Sequence, residues 1–295
     1  MELLFLWIGN LGTKTASFLF GKKVSNMLRG KGLLENALYW LITGCGGCIF
    51  FALSSGLNIK INSIVVLYSL LYAFIVMLSL LYNIFAYRLV KISNLNIISN
   101  SGSLIVQFVL GFFLFHEALK ISGFVRLILM LVALSFVFLG TNKEKSQKSN
   151  SKNSILFCLI TLVSIVISTG ELLILKYYSL TSVENDVNSL FFLTNVFLVL
   201  FALICLIIGN KSNYTENNTQ ISFKSVFVFL CSVFLGNIGS IICATLVAKV
   251  DMSLYSPLNS GIGIIGGSVA SLISKEKLKS FDIFAALIAF VAILI

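Results

Sequence analysis

Proline and histidine each occur once in 295 residues, tryptophan twice, and charged side chains make up only 11% of the chain. Soluble proteins average about 25% charged residues, so this chain has too little polar side chain to cover a water-facing surface. Hydrophobic residues reach 58%, more than a soluble fold can hide. The scarcity of histidine also matters: His116 has no Cys, Asp or Glu at ligand spacing and reads as a turn residue, so no metal is expected. Neither a nucleophile with its base nor a nucleotide-binding glycine loop is present, which leaves no basis for an enzyme or a bound cofactor. At roughly 20 apolar residues per crossing, the length suits about ten membrane spans. Little remains for a soluble catalytic or nucleic-acid-binding domain.

What is present fits lipid. The net charge of +10 comes from Lys and Arg in loops beside apolar segments, where they face anionic headgroups and set orientation. Membrane lipids are therefore the expected surroundings, and nucleic acid is not an expected partner. Six cysteines (Cys45, Cys48, Cys158, Cys205, Cys231 and Cys243) lie inside apolar runs, as small residues packing between helices do. Cys45-Gly46-Gly47-Cys48 has the spacing of a redox or metal pair but lacks a second pair, and reads as close helix packing. At the N-terminus, Lys22, Lys23, Arg29 and Lys31 follow the apolar stretch instead of preceding it, which points to a retained span and not a signal peptide.

Apolar runs fall at 3–21, 36–56, 63–87, 95–116, 121–140, 154–175, 188–208, 224–248, 253–273 and 280–295. In lipid only helices and closed barrels satisfy their own backbone, and these runs are too long and continuous for barrel strands of about ten alternating residues. The expected fold is an all-α integral membrane protein of ten transmembrane helices. The polar segment 141–153 (TNKEKSQKSNSKN) divides it into a first five-helix repeat, 1–140, and a second, 154–295. A second polar loop, 209–222, carries Asn-x-Ser/Thr triplets at Asn210, Asn213 and Asn217. The Lys/Asn/Ile-rich composition points to a bacterial inner (cell) membrane, where those triplets are not glycosylated.

Asn100-Ser101-Gly102 recurs as Asn259-Ser260-Gly261, and Glu117-Ala118-Leu119-Lys120 as Glu276-Lys277-Leu278-Lys279, both 159 residues apart. Two matches at one separation favour duplication. Because each half holds an odd number of spans, the second copy enters the membrane inverted, as in secondary transporters. Loops after odd-numbered spans hold fifteen Lys and Arg against five in the others, which puts the central linker in the cytoplasm and both chain ends outside.

The segment 111–140 (GFFLFHEALKISGFVRLILMLVALSFVFLG), an apolar helix running into a glutamate turn and a short next helix, resembles the repeat of EamA-type drug/metabolite transporters. Residues 271–295 repeat it, 88–100 resemble that family's third-to-fourth connection, and Ser256-Pro257 resembles the proline near the start of its ninth helix. The chain departs from the pattern at Ile98, often proline there, and at Ala289 and Ala292, usually glycine. The resemblance implies alternating-access transport, commonly export, of a small organic metabolite such as an amino acid or amine, with a monomer sufficient. Some members are described with both termini inside, opposite to the charge count here. Smaller multidrug relatives carry a glutamate in the first helix of each subunit, and Glu171 resembles it in the second half, so protons are a candidate partner. A non-transporting membrane sensor or a channel-like protein is the alternative.

Lys14 lies mid-way along the first span and Glu171 late in the sixth. A charge at mid-membrane costs roughly 2.5 to 3.5 kcal/mol or more, so such residues face protein or water. Either they line a central cavity and bind solute charge, or Lys14 snorkels to the interface and Glu171 caps a broken helix. Helical spacing aligns Trp7, Asn10, Lys14 and Ser17 on one face, Tyr68, Tyr72, Ser79 and Asn83 on another, and Asn96, Asn100, Ser103 and Gln107 on a third. Ser164, Ser168 and Glu171, then Asn237 with Ser240, complete the set. The candidate solute-binding residues are Lys14, Glu171, Tyr72, Asn100, Asn259, Asn237 and Trp7; Tyr68 and Tyr255 are further aromatic walls. Gly263 and Gly267 offer a small-residue face for close helix approach. Glu117 and Glu276, beside Lys120 and Lys279, are expected to cap or pair within their own turns.

Overall fold

The computed structural model describes residues 2–28, 33–89, 92–118, 121–142, 151–181, 186–212, 223–273 and 280–295. Among them ten helices follow one another: α1 (Glu2–Leu28), α2 (Leu33–Ser54), α3 (Ser63–Leu89), α4 (Ile92–Phe115), α5 (Ile121–Asn142), α6 (Ser151–Thr181), α7 (Val187–Ser212), α8 (Phe223–Lys249), α9 (Met252–Ile273) and α10 (Ser280–Leu294). Every apolar run forms a helix because, without water, the i to i−4 ladder is what satisfies its backbone. Helix α5 reaches Asn142 and α6 begins at Ser151, so the segment expected as a linker, 141–153, is helical at both edges. Outside lipid a helix no longer needs apolar side chains, and hydropathy alone therefore stops counting too early.

Six helices contain a described stretch long and apolar enough to cross a membrane: Glu2–Phe20, Asn36–Ser54, Ser63–Tyr82, Leu162–Thr181, Val187–Ile208 and Val226–Lys249. Phe5, Ile49, Leu53, Phe74, Val166, Ile207 and Phe234 all stand more than half exposed. Surface this apolar over so many helices is stable against lipid and not against water, which marks a membrane protein.

Helix α2 packs on α7, α4 on α9 and α5 on α10; α1 packs on α8 and α9, α3 on α6 and α7, α4 on α6, and α2 on α8, while α4–α5 and α9–α10 are neighbours. Exchanging α1–α5 for α6–α10 converts each of these pairs into itself or another of the same set. Some interfaces depart from the pattern among the described residues: α6 packs against α8 and α5 against α9, whereas α1 with α3 and α4 with α10 make no comparable contact.

Small residues let the closest pairs meet. A Cβ at Gly44 would come within 2.7 Å of the Val199 side chain, and one at Gly47 would overlap the Asn195 amide. The Cys45–Cys48 segment is thus a packing seam between α2 and α7, with Cys45 exposed and Cys48 thiol facing the Phe192 carbonyl at 4.0 Å. Ala285, Ala289 and Ala292 are fully buried in one cluster with Met130 and Ala133, so alanine is small enough for α10 to pack closely on α5. On α9 the expected face needs correction. Gly267 has nothing within 4 Å of a would-be Cβ, whereas Gly261 abuts Met130 and Ile293, and Gly266 abuts Thr15. A stretch with glycine at 261, 263, 266 and 267 offers several small faces, and the rotation of α9 selects among them.

Candidate functional site

Helix α1 lies parallel to α9 and antiparallel to α8, which brings its polar stripe against both. The Lys14 ammonium donates to the Asn259 backbone carbonyl at 2.8 Å and to its side-chain oxygen at 2.5 Å. Asn10 donates to that same side-chain oxygen at 3.2 Å. Lys14 therefore turns inward to α9 and does not snorkel. Gly263, one turn further along α9, faces the ammonium, and a Cβ there would lie 4.0 Å from Nζ, at ordinary contact distance. Asn259 follows Pro257, the proline inside α9, whose missing N–H removes one rung of the helical ladder.

One turn towards the start of α1, the Trp7 ring packs on Tyr255 at 5.9 Å between centroids. Tyr255, 1% exposed, exchanges a hydrogen bond with the Cys243 thiol of α8 at 3.0 Å. Cys243 lies within electrostatic reach of both Lys14 and Glu171, and Tyr72 of α3 within reach of Glu171 and Tyr255. Tyr72 also packs edge-on against Phe191 at 5.6 Å. Glu171 is half-buried on α6 and, among the described residues, receives no hydrogen bond or ion pair. Five helices, α1, α3, α6, α8 and α9, thus converge on one locus. It holds an ammonium already satisfied by carbonyl oxygens, an unpaired carboxyl group, and three aromatic rings. A carboxyl group so placed can take a proton or an organic ammonium, and aromatic faces beside it attract cations.

Of the residues expected to bind solute, the structure brings together Lys14, Asn259, Trp7, Tyr72 and Glu171. Asn237 stands apart: its amide nitrogen is buried without a hydrogen-bond partner, and no contact links it to that group. The contact of Gly239 with Thr13 puts its stretch of α8 against the middle of α1. Asn100 lies on α4, and its side chain is outside the described residues, as are those of Asn83 and Asn96. Ser164 is bonded to Tyr82 and so joins α3 to α6. Cys243 was missed by sequence reasoning, because a thiol in an apolar run looks like any small packing residue.

A second polar group closes the bundle at the end where α8 turns into α9. Both carboxylate oxygens of Glu117 accept backbone hydrogen bonds, from Met252 N at 2.5 Å and Ser253 N at 2.7 Å. Glu117 was expected to act within its own turn; instead it caps the first turn of α9, a helix of the other half. Two local features aim it there. His116 sits in the left-handed region at φ 51°, and Gly111 has no Cβ to block Glu117 Oε2, which would lie 2.8 Å from one. Lys176, near the end of α6, donates to the carbonyls of Val247 at 3.1 Å and Val250 at 2.9 Å, satisfying the exposed end of the α8 ladder. Glu2 and Lys249 pair at the same end.

No protein-family profile matches the chain, and no curated protein is similar to it in sequence. Its fold is similar to that of a solved structure described only as a crystal structure of a protein, at 11% identity and a TM-score of 0.65, covering 96% of this chain and 93% of that one. At that identity the likeness concerns the fold alone.

Proposed function

We propose that the protein is a secondary transporter of a small organic metabolite such as an amino acid or amine, working by alternating access in the cell membrane. All ten helices cross the bilayer, and the halves are inverted copies that rock about the locus of Lys14 and Glu171. The observation that carries this reading is the packing pattern. Its largest interfaces map onto themselves or one another when the halves are exchanged, and the charged residues sit where helices of both halves meet. The repeated Asn-Ser-Gly and Glu-x-Leu-Lys segments support duplication, and the unpaired Glu171 carboxyl supports a cationic group or a proton as what the site receives.

The test is uptake of labelled amino acids and organic amines into proteoliposomes, with and without a pH gradient, comparing the native chain with Glu171→Gln. Saturable uptake that the substitution abolishes is expected, and loss of gradient dependence alone would assign Glu171 to proton coupling. Solute binding without flux would instead favour a sensor, and ohmic conductance a channel.

A further inference from the structure

We infer that Lys176 is a latch holding the bundle shut at its α8–α9 end, so that the central site communicates with the opposite end; this rests on the alternating-access reading. The α6–α8 interface is the largest that has no comparable counterpart on exchange of the halves among the described residues. Its closed form joins Leu172 and Leu175 of α6 to Ala244 and Val247 of α8 in one buried cluster. That cluster lies between Glu171 and Cys243 on one side and the α8–α9 turn on the other. The corresponding pair, α1 with α3, makes no comparable contact among the described residues.

Lys176 is 8% exposed, a burial that an ammonium tolerates only with acceptors at hand. Those acceptors are the Val247 carbonyl in the last turn of α8 and the Val250 carbonyl just beyond it, so the interaction exists only while α6 stays on α8. The carboxylates of Glu117 and Asp251 lie within electrostatic reach of the ammonium and help hold it there. Separating α6 from α8 breaks both hydrogen bonds at once. At the repeat separation of 159 residues, α1 carries Ser17 where α6 carries Lys176, so that position of the first half supplies no ammonium, and the latch biases the molecule towards closure at the α8–α9 end.

The test uses the full chain with Cys243 as its sole cysteine, in sealed right-side-out and inside-out vesicles, labelled with a membrane-impermeant maleimide. With Lys176 intact, labelling is expected from the far face only. Lys176→Ser, which makes α6 like α1, should raise labelling from the α8–α9 face at least about tenfold, as the loss of two charge-assisted hydrogen bonds allows. Lys176→Arg, which keeps the donors, should stay near the native rate. If the serine variant does not fold, Lys176→Gln carries the test with a smaller increase. An unchanged rate from that face in the variant, or fast labelling from it in the native protein, overturns the latch. Solute flux in the same vesicles separates the two readings. Flux with unresponsive labelling sinks the latch alone, and responsive labelling without flux of any solute sinks transport while the latch stands.

Discussion

Removing the Glu117 carboxylate should destabilise the protein from a distance, because the helix that it caps begins 135 residues later. In Glu117→Ala the N–H groups of Met252 and Ser253 lose short charge-assisted acceptors, and both residues are buried, so water replaces the carboxylate poorly. Loss of a helix cap costs about 0.5 to 2 kcal/mol, and loss of an anion from a helix N-terminus about 0.3 to 1 kcal/mol more. Leaving a second buried donor unpaired adds about 1 to 3 kcal/mol. Together these give roughly 2 to 6 kcal/mol, which at an unfolding entropy of about 2.1 cal/mol/K per residue is a fall in melting temperature on the order of 3 to 10 °C. The assay is the loss of the monodisperse peak on size exclusion after heating the detergent-solubilised protein in steps. Glu117→Gln keeps an acceptor oxygen without the charge and should fall between. Gly111→Ala, whose new Cβ would stand 2.8 Å from Glu117 Oε2 and 3.0 Å from Ser253 N, should match the alanine variant by pushing the carboxylate off α9. If Glu117→Ala melts within about 1 °C of the native protein, the cap does not contribute as argued.

Gly47→Val should lower stability by about 1 to 3 kcal/mol through overpacking against Asn195, whereas Gly267→Ala, with open space at its Cβ, should be neutral or stabilising by up to about 1 kcal/mol; heated size exclusion reads both. Cys243 touches Tyr255 beside the Lys14–Asn259 group, so a transported solute should slow its modification by a small maleimide; labelling indifferent to every transported solute would remove Cys243 from the path. Asn259→Ala strips Lys14 of one of its two acceptors and should impair uptake by Glu171-dependent flux more than it lowers melting temperature, an outcome reversed if Asn259 is only a packing residue.

The helices were legible because hydropathy marks a lipid-buried backbone directly: the runs at 63–87 and 253–273 lie within two residues of α3 and α9 at each end. The energetic cost of an exposed ammonium in lipid left two readings of Lys14, an inward turn and snorkelling to the interface, and the fold takes the first; its partner Asn259 stood among the residues named with it. Glu117 was placed in the wrong company for an equally physical reason. Its neighbour Lys120 suggests a local pair, and nothing in linear spacing says that a left-handed residue at His116 will turn the carboxylate onto a helix of the other half. Lys176 carried no signal either, since a lysine near a helix end usually faces the headgroups. The glycines of α9 show the same limit, because spacing defines candidate faces and the fold chooses one.

The exchange of partners between halves has a consequence for how the chain is made. Among the described residues of the first half, α4 and α5 are the close partners; α1, α2 and α3 find theirs among α6 to α9. At a synthesis rate of about 5 to 20 residues per second, the second half takes on the order of 10 to 30 seconds to emerge. For that interval the polar stripes of α1 and α3 face lipid or a holding factor, with Lys14 lacking Asn259 and Ser69 lacking its Leu190 carbonyl. The nascent first half is thus a client for insertion machinery and membrane proteases. Ribosomal pausing at any point between the emergence of α3 and that of α7, the helix that covers α2 and α3, would lengthen that exposure.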